Sequence, residues 1–511
     1  MVESRLPGAG RARRRVGRAV VAWGAFLAVA ASSPGAVTGA AASAAEPRGT
    51  APRVDWTPCR EDATAECGTL SVPVDWDRPD GPRFALGLAR RTARDPDARV
   101  GSLVFGPGGP GDSGVRKVVE DHRFSDEVRD RFDVVGIDPR GVGRSGPVRC
   151  STALLEERPS PVLTDQADFD AAVEYNRRLR EDCRRHSRGL YDHVDTLQAV
   201  RDLDAVRTAL GEERLTFHGS SYGTLLGQQY AEVFPHRVRA VVLESVVDHS
   251  LGRRRFLVTQ AAAQQDSFDG FVAWCSRTES CALHGRDARA VWRGLLARAE
   301  RGALTDPGSP GTRLDAFALS RVVETALKGP DRERLARYLA ALDAGRRPAG
   351  SASPRRETPP EERPATEAHP FPAIFCQDWS LPVRSHREYA ADLRRIARVA
   401  PDMRYPSALL GVVSCLGAPR PVNNPQHRLR VRGGGPLLLV NSLHDPVSSH
   451  DWAVRVARQL GDAGVLLTYE GWGHGAYGTG PCVTEAVDRY LVSRTLPAPG
   501  TTCPDVAAAS P

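Results

Sequence analysis

The sequence predicts an α/β protein, a mostly parallel, doubly wound sheet interrupted by a mostly helical insertion. Three observations carry that prediction. Between residues 100 and 245, short apolar runs alternate with helix-period stretches, the pattern of parallel strands joined by covering helices. From about 250 to 430 the strand signal fades and helical periodicity dominates. Strand-like runs return at 436–441 and 465–469, so one layer resumes after the insertion.

In chain order, Ser102-Leu103-Val104-Phe105 is a short apolar strand that runs into a Gly/Pro-rich turn. Residues 132–137 form the next, closed by Asp138-Pro139. Leu197, Val200, Leu203, Val206 and Leu210 recur every three or four residues, which predicts a helix over 195–210 with one buried stripe. Asp195 or Thr196 can cap its start and Gly211 its end. A strand at 215–218, a helix from Tyr222 to Val233 stopped near Pro235, and a strand at 238–243 follow. Helices are expected at 288–301, 331–342 and 482–496. Residues 349–372 are dense in Pro, Ser, Arg and Glu and read as a mobile loop. The expected organisation is a signal at 1–45, a first core part at 46–250, a helical cap at 251–430 and a second core part at 431–511.

The bulk numbers narrow the function. Net charge is +7, but residues 1–45 hold six Arg against Glu3 and contribute +5, leaving +2 for the rest. A nucleic-acid binder needs a clustered basic face, so that class is disfavoured. The first 45 residues join a basic stretch at Arg11–Arg18, an apolar run at Val20–Ala31 and the small residues Ala42-Ser43-Ala44. This order predicts export with cleavage near Ala44. The run is shorter than the roughly 20 apolar residues of a spanning helix, so no stable membrane anchor is expected. Ten cysteines, all beyond the signal, fit an oxidising compartment. Pairing nearest neighbours gives 59–67, 150–183, 275–281, 376–415 and 482–503. No CxxC pair with following His ligands occurs, so neither a metal nor another cofactor is expected.

The chemistry centres on Gly219-Ser220-Ser221-Tyr222-Gly223, between a predicted strand and a predicted helix. That context is a nucleophile elbow, a sharp turn lifting the Ser221 hydroxyl above the sheet. A serine needs a base, and the base needs an orienting acid, in the chain order Ser, acid, His. Asp445 follows the strand at 436–441, and His474 follows the strand at 465–469, both at strand ends where active sites of parallel sheets sit. Asp451 and Glu244 are the rival acids, and His444 is read as a loop residue. The Gly106–Gly111 loop after the strand at 102–105 can stabilise an oxyanion through Gly109, with the Tyr222 N–H as second donor. Asp138-Pro139-Arg140-Gly141-Val142-Gly143 lacks dinucleotide spacing and reads as a buttressing turn.

Together these motifs, with Asp112-Ser113-Gly114, Asp445-Pro446-Val447, Gly473-His474-Gly475, the stretch Ala373–Trp379 and the tail Leu496–Cys503, resemble the prolyl-aminopeptidase family of serine peptidases. The likeness is specifically to its tripeptidyl-aminopeptidase-like branch of secreted actinobacterial α/β hydrolases. The resemblance implies an α/β-hydrolase fold with a helical cap. It also implies a serine exopeptidase that releases short peptides, often tripeptides, from a free N-terminus. Such enzymes need a carboxylate for the substrate ammonium, for which Asp378 and Glu244 are the candidates. Two rival readings remain: a secreted carboxylesterase or lipase with the same triad, and a non-catalytic binder on the same scaffold.

Overall fold

The computed structural model describes residues 53–120, 123–306, 313–329, 331–346 and 364–506. The expected signal and residues 349–363 of the expected mobile loop lie outside them. The strands are β1 (Thr57–Pro58), β2 (Glu66–Pro73), β3 (Arg83–Arg91), β4 (Gly101–Gly106), β5 (Phe132–Ile137), β6 (Arg149–Ser151), β7 (Leu215–Ser220), β8 (Val238–Glu244), β9 (Thr366–Ala368), β10 (Leu437–His444), β11 (Gly464–Trp472) and β12 (Thr502–Cys503). Before β8 come helices α1 (Gly114–Glu120), α2 (Asp126–Arg131), α3 (Thr152–Glu156), α4 (Gln166–His186), α5 (Thr196–Ala209) and α6 (Gly223–Val233). Between β8 and β10 come α7 (Arg253–Arg277), α8 (Ala288–Glu300), α9 (Ala316–Leu327), α10 (Arg332–Asp343), α11 (Pro370–Asp378), α12 (His386–Val399) and α13 (Ala408–Ser414). Helices α14 (His450–Leu460) and α15 (Pro481–Ser493) complete the set.

Ten strands form one sheet in the order β1-β2-β3-β5-β4-β7-β8-β10-β11-β12. The first three make an antiparallel meander that joins β5 antiparallel; from β5 onward every pair is parallel. The continuous apolar runs noted in the sequence follow from burial on both faces. Alternate residues of β10 show it: Leu437 and Leu439 pack with Leu203, Tyr230 and Val456 on one face. Leu438 and Val440 pack with Val118, Val487 and Leu491 on the other. Each parallel crossover carries a covering helix, so the doubly wound expectation holds.

The predicted elements shift by at most three residues at their ends, and β5 not at all. The meander β1–β3 and the 21-residue α4 were not anticipated. Part of the expected loop is ordered: residues 366–368 pair with β6, and α11 begins at Pro370. Proline there marks a helix start rather than a loop, because the first helical residue needs no N–H partner. The helices between β8 and β10 share their own apolar core, around Trp292, Phe268, Phe271 and Trp379, which also takes in Trp452 of α14. All ten cysteines pair, each with its nearest neighbour in sequence. No helix among the described residues is long and apolar enough to cross a membrane.

Candidate active site

Ser221 sits in the sharp turn between β7 and α6 with φ of +55°. A non-glycine residue there costs on the order of 1–2 kcal/mol, so the surroundings must hold it. The Ser221 N–H donates to the Glu244 carbonyl at 2.8 Å, and the Thr224 hydroxyl donates to the Ser221 carbonyl at 2.7 Å. The flanking glycines are sterically required. A Cβ on Gly219 would lie 2.4 Å from the Gly223 carbonyl oxygen, and one on Gly223 2.2 Å from that of Gly106.

The loop after β4 crosses close to this turn. A Cβ on Gly108 would meet Ser221 Oγ at 3.3 Å, and Gly109 adopts φ of +103°. The backbone N–H groups of Gly109 and Tyr222 donate to no group among the described residues. Asp138, after β5, anchors the same loop by accepting from the Ser113 hydroxyl at 2.5 Å and the Val115 N–H at 3.1 Å. Fully buried Arg140 binds Asp202 through two 2.7 Å contacts. The Asp138–Gly143 segment is thus a buttress, as its sequence suggested.

Asp445 lies just beyond β10 and is completely buried. Its carboxylate accepts from the Val447 and Ser448 N–H groups at 2.8 and 2.9 Å, and lies 2.9–3.0 Å from His474 Nδ1. His474, just beyond β11, is held from two sides. Its own N–H donates to the Lys328 carbonyl at 2.9 Å, and the next N–H, of Gly475, donates to Ser245 Oγ at 2.9 Å. Ser221 and His474 line one cavity of about 560 Å³. No hydrogen bond joins the Ser221 hydroxyl to His474 among the described contacts; such bonds tighten when substrate binds. The rival acid Asp451 is exposed in the first turn of α14. His444 is engaged elsewhere, stacked on Trp472 and bonded to Asp266 at 2.6 Å.

Neither expected ammonium ligand reaches the cavity, which corrects that expectation. Asp378 is wholly buried and receives four donors: the Thr196 N–H and hydroxyl, the Tyr222 hydroxyl and the Asn424 amide, at 2.6–2.8 Å. Burial, then nearby Asp195, push its pKa up to about 7 against those donors. It ties α11 to the elbow through Tyr222. Glu244 is also wholly buried, paired with Arg123 and His218 and accepting from the Ala476 and Tyr477 N–H groups at 2.9 and 2.8 Å. Burial alone would raise its pKa, but Arg123 and His218 outweigh that and hold it below the carboxylate range. Glu244 therefore braces the loop that carries His474.

The buried carboxylate that does line the cavity is Glu324 of α9. It accepts from Gln264 at 2.5 Å and Arg321 at 2.6 Å, with Lys328 Nζ at 3.7 Å. The sequence reading missed it. Its signal was a charged residue on the apolar stripe Ala316, Phe317, Leu319, Val323 and Leu327. Phe256, Phe371, Phe375, Trp379 and Trp452 supply aromatic wall.

Comparison with known proteins identifies relatives that share this fold. A family model described as alpha/beta hydrolase fold matches residues 101–481. The chain is 33% identical to serine protease Hip1 of Mycobacterium tuberculosis, covering 96% of this chain and 99% of that protein. It is 29% identical to tripeptidyl aminopeptidase of Streptomyces lividans, over 88% of this chain and 86% of the relative. It is 32% identical to a Mycobacterium tuberculosis protein named carboxylesterase B, over 89% and 90%.

Proposed function

Because the chain belongs to the α/β-hydrolase family, we propose that it is a secreted serine exopeptidase that releases short peptides, tripeptides among them, from a free N-terminus. One observation carries the reading most: Ser221 and His474 open into a bounded cavity of about 560 Å³ whose wall includes the buried carboxylate Glu324. A space of that size suits a small ligand rather than an intact protein surface. We read residues 251–430 as the cap that bounds it. The five disulfides support export.

In this mechanism Asp445 holds His474 in the tautomer with Nε2 unprotonated, through the Nδ1 contact. His474 takes the Ser221 proton as Oγ attacks the scissile carbonyl. The oxyanion receives the free N–H groups of Gly109 and Tyr222, each donor typically contributing about 3–4 kcal/mol. The imidazolium then protonates the departing amine, leaving an acyl-enzyme on Ser221. Water, deprotonated by His474, attacks that ester, and Ser221 regains its proton as the peptide acid leaves. Glu324, in place of Asp378 and Glu244, receives the substrate ammonium. The residue count between amine and scissile bond is then set by its separation from Ser221.

The test is digestion of a free-amino peptide of mixed sequence with product masses recorded over time. Successive short N-terminal fragments are expected. Cleavage at internal bonds, or no cleavage beside rapid turnover of a short-chain ester, overturns the reading. The second outcome favours the alternative of a secreted carboxylesterase, which the carboxylesterase B relative supports.

A further inference from the structure

A second recess opens where the start of α7, the segment after α11, helix α12 and helix α14 meet. It measures about 750 Å³ and shares no lining residue with the catalytic cavity. Six of its thirteen lining residues are Arg253, Arg254, Arg255, Arg384, Arg395 and Arg455. Three carboxylates answer them. Glu388 lines the recess 3.5 Å from Arg253 and 3.8 Å from Arg384. Behind it, Asp392 pairs with Arg253 and Arg395 at 2.7 and 2.9 Å, and Asp248 pairs with Arg455 at 2.8 Å.

Six cations against three anions leave +3 in one groove, more than the +2 net charge of the whole chain beyond residue 45. Folding does not explain the excess. Arg254 and Arg255 are exposed, and no ion pair or hydrogen bond engages either guanidinium among the described residues. The first turn of α7 contains no acid and no side-chain cap, so its three arginines sit against the helix dipole. Like charges gathered against that dipole oppose the fold unless an anion joins them.

We propose that this recess binds a linear polyphosphate-type polyanion rather than a nucleic acid, because no aromatic side chain lines it to stack a base. Guanidinium groups present planar forks that match phosphate oxygens two at a time. Here they stand on several walls, able to grip successive phosphates of one chain. A membrane surface is a poorer fit. None of the exposed large apolar side chains, Val233, Val399, Leu443 and Val506, lines the recess, and interfacial binding relies on apolar insertion. This inference does not depend on the peptidase reading. A polymer held here would tether the enzyme and leave its catalytic cavity open.

The experiment titrates the full-length secreted protein with a long-chain inorganic polyphosphate, with orthophosphate, and with phosphatidylglycerol vesicles. Polyphosphate is expected to bind far more tightly than orthophosphate and to weaken steeply with salt, as phosphate contacts do. The double variant R254A/R255A should lose about tenfold or more in affinity and show a salt slope shallower by about 1 per lost contact. R384E, on another wall and 81% exposed, should weaken binding similarly. Both variants should turn over the native enzyme's best small substrate at the native rate. No polyphosphate binding at low salt, native affinity in both variants, or vesicle binding that polyphosphate does not displace each overturns the proposal.

Discussion

At the ends of β7, β10 and β11 the backbone itself sets the candidate reacting groups, whereas across the cavity the helices between β8 and β10 contribute mainly side chains, with the Lys328 carbonyl that holds His474 as a backbone contact. Ser221 is held by a strained turn in which added atoms at Gly219 or Gly223 would strike carbonyl oxygens. Asp445 and His474 are pinned by N–H groups of their own loops. Glu324, by contrast, depends on Gln264, Arg321 and Lys328. On the proposed reading, chemistry is built into geometry that tolerates no change. Selectivity would rest on a wall that substitutions can redraw without disturbing the elbow, so that one scaffold can serve peptides or esters.

The comparison predicts a graded set of losses. Ser221→Ala should lower kcat on the order of 10⁵- to 10⁶-fold with an unchanged melting temperature; retained turnover would remove Ser221 from the chemistry. Asp445→Asn should cost about 10⁴-fold in kcat, while Asp451→Asn should match the native enzyme. The reverse pattern would move the acid onto α14.

A third prediction concerns the join between the two regions. His249 follows β8 and packs edge-on against Trp379 at 4.7 Å, with Nε2 2.6 Å from the Asp378 carbonyl. Burial, the largest influence, lowers its pKa from 6.5 to about 4. A base with a depressed folded pKa lends stability above its unfolded value and loses it as pH falls through the folded one. About 3 kcal/mol should therefore fade between pH 6.5 and 4. Thermal unfolding of the native protein and His249→Gln across that window should show the gap between them closing toward acid. Parallel pH profiles would dismiss the role of His249.

How legible each region was in the sequence follows from the same contrast. The placing of Ser221 and His474 on one cavity, with Asp445 bonded to His474, could be anticipated because a tight turn, a strand end and a fixed chain order leave local marks: glycines flanking Ser221, and Asp445 and His474 just past apolar runs. The sheet could be read because burial on both faces writes continuous apolar strands. The cavity wall could not. Glu324 and Ser221 come to line one cavity only in the tertiary fold, and the charged residue on the α9 apolar stripe does not say which site it will face. Asp378 and Glu244 could stand as candidate ammonium ligands in the sequence because their partners, Thr196 and Asn424 for one and Arg123 and His218 for the other, are distant in sequence. Pro370 misled for a different reason, since composition does not separate a proline that opens a helix from one in a loop.

The smallest predicted effect bears most directly on the claim that the sheet ends do the chemistry and the helical wall reads the amine. The measurement is kcat/KM for a free-amino tripeptide anilide and for its N-acetyl form, in the native enzyme and in Glu324→Gln. Losing a buried charged partner is expected to cost on the order of 10- to 100-fold. The native enzyme should prefer the free amine strongly. The variant should lose most of that preference through a higher KM, with turnover of the acetylated substrate and of a short-chain ester unchanged. Equal native turnover of both anilides, or a Glu324→Gln enzyme that keeps the full preference, would contradict the account.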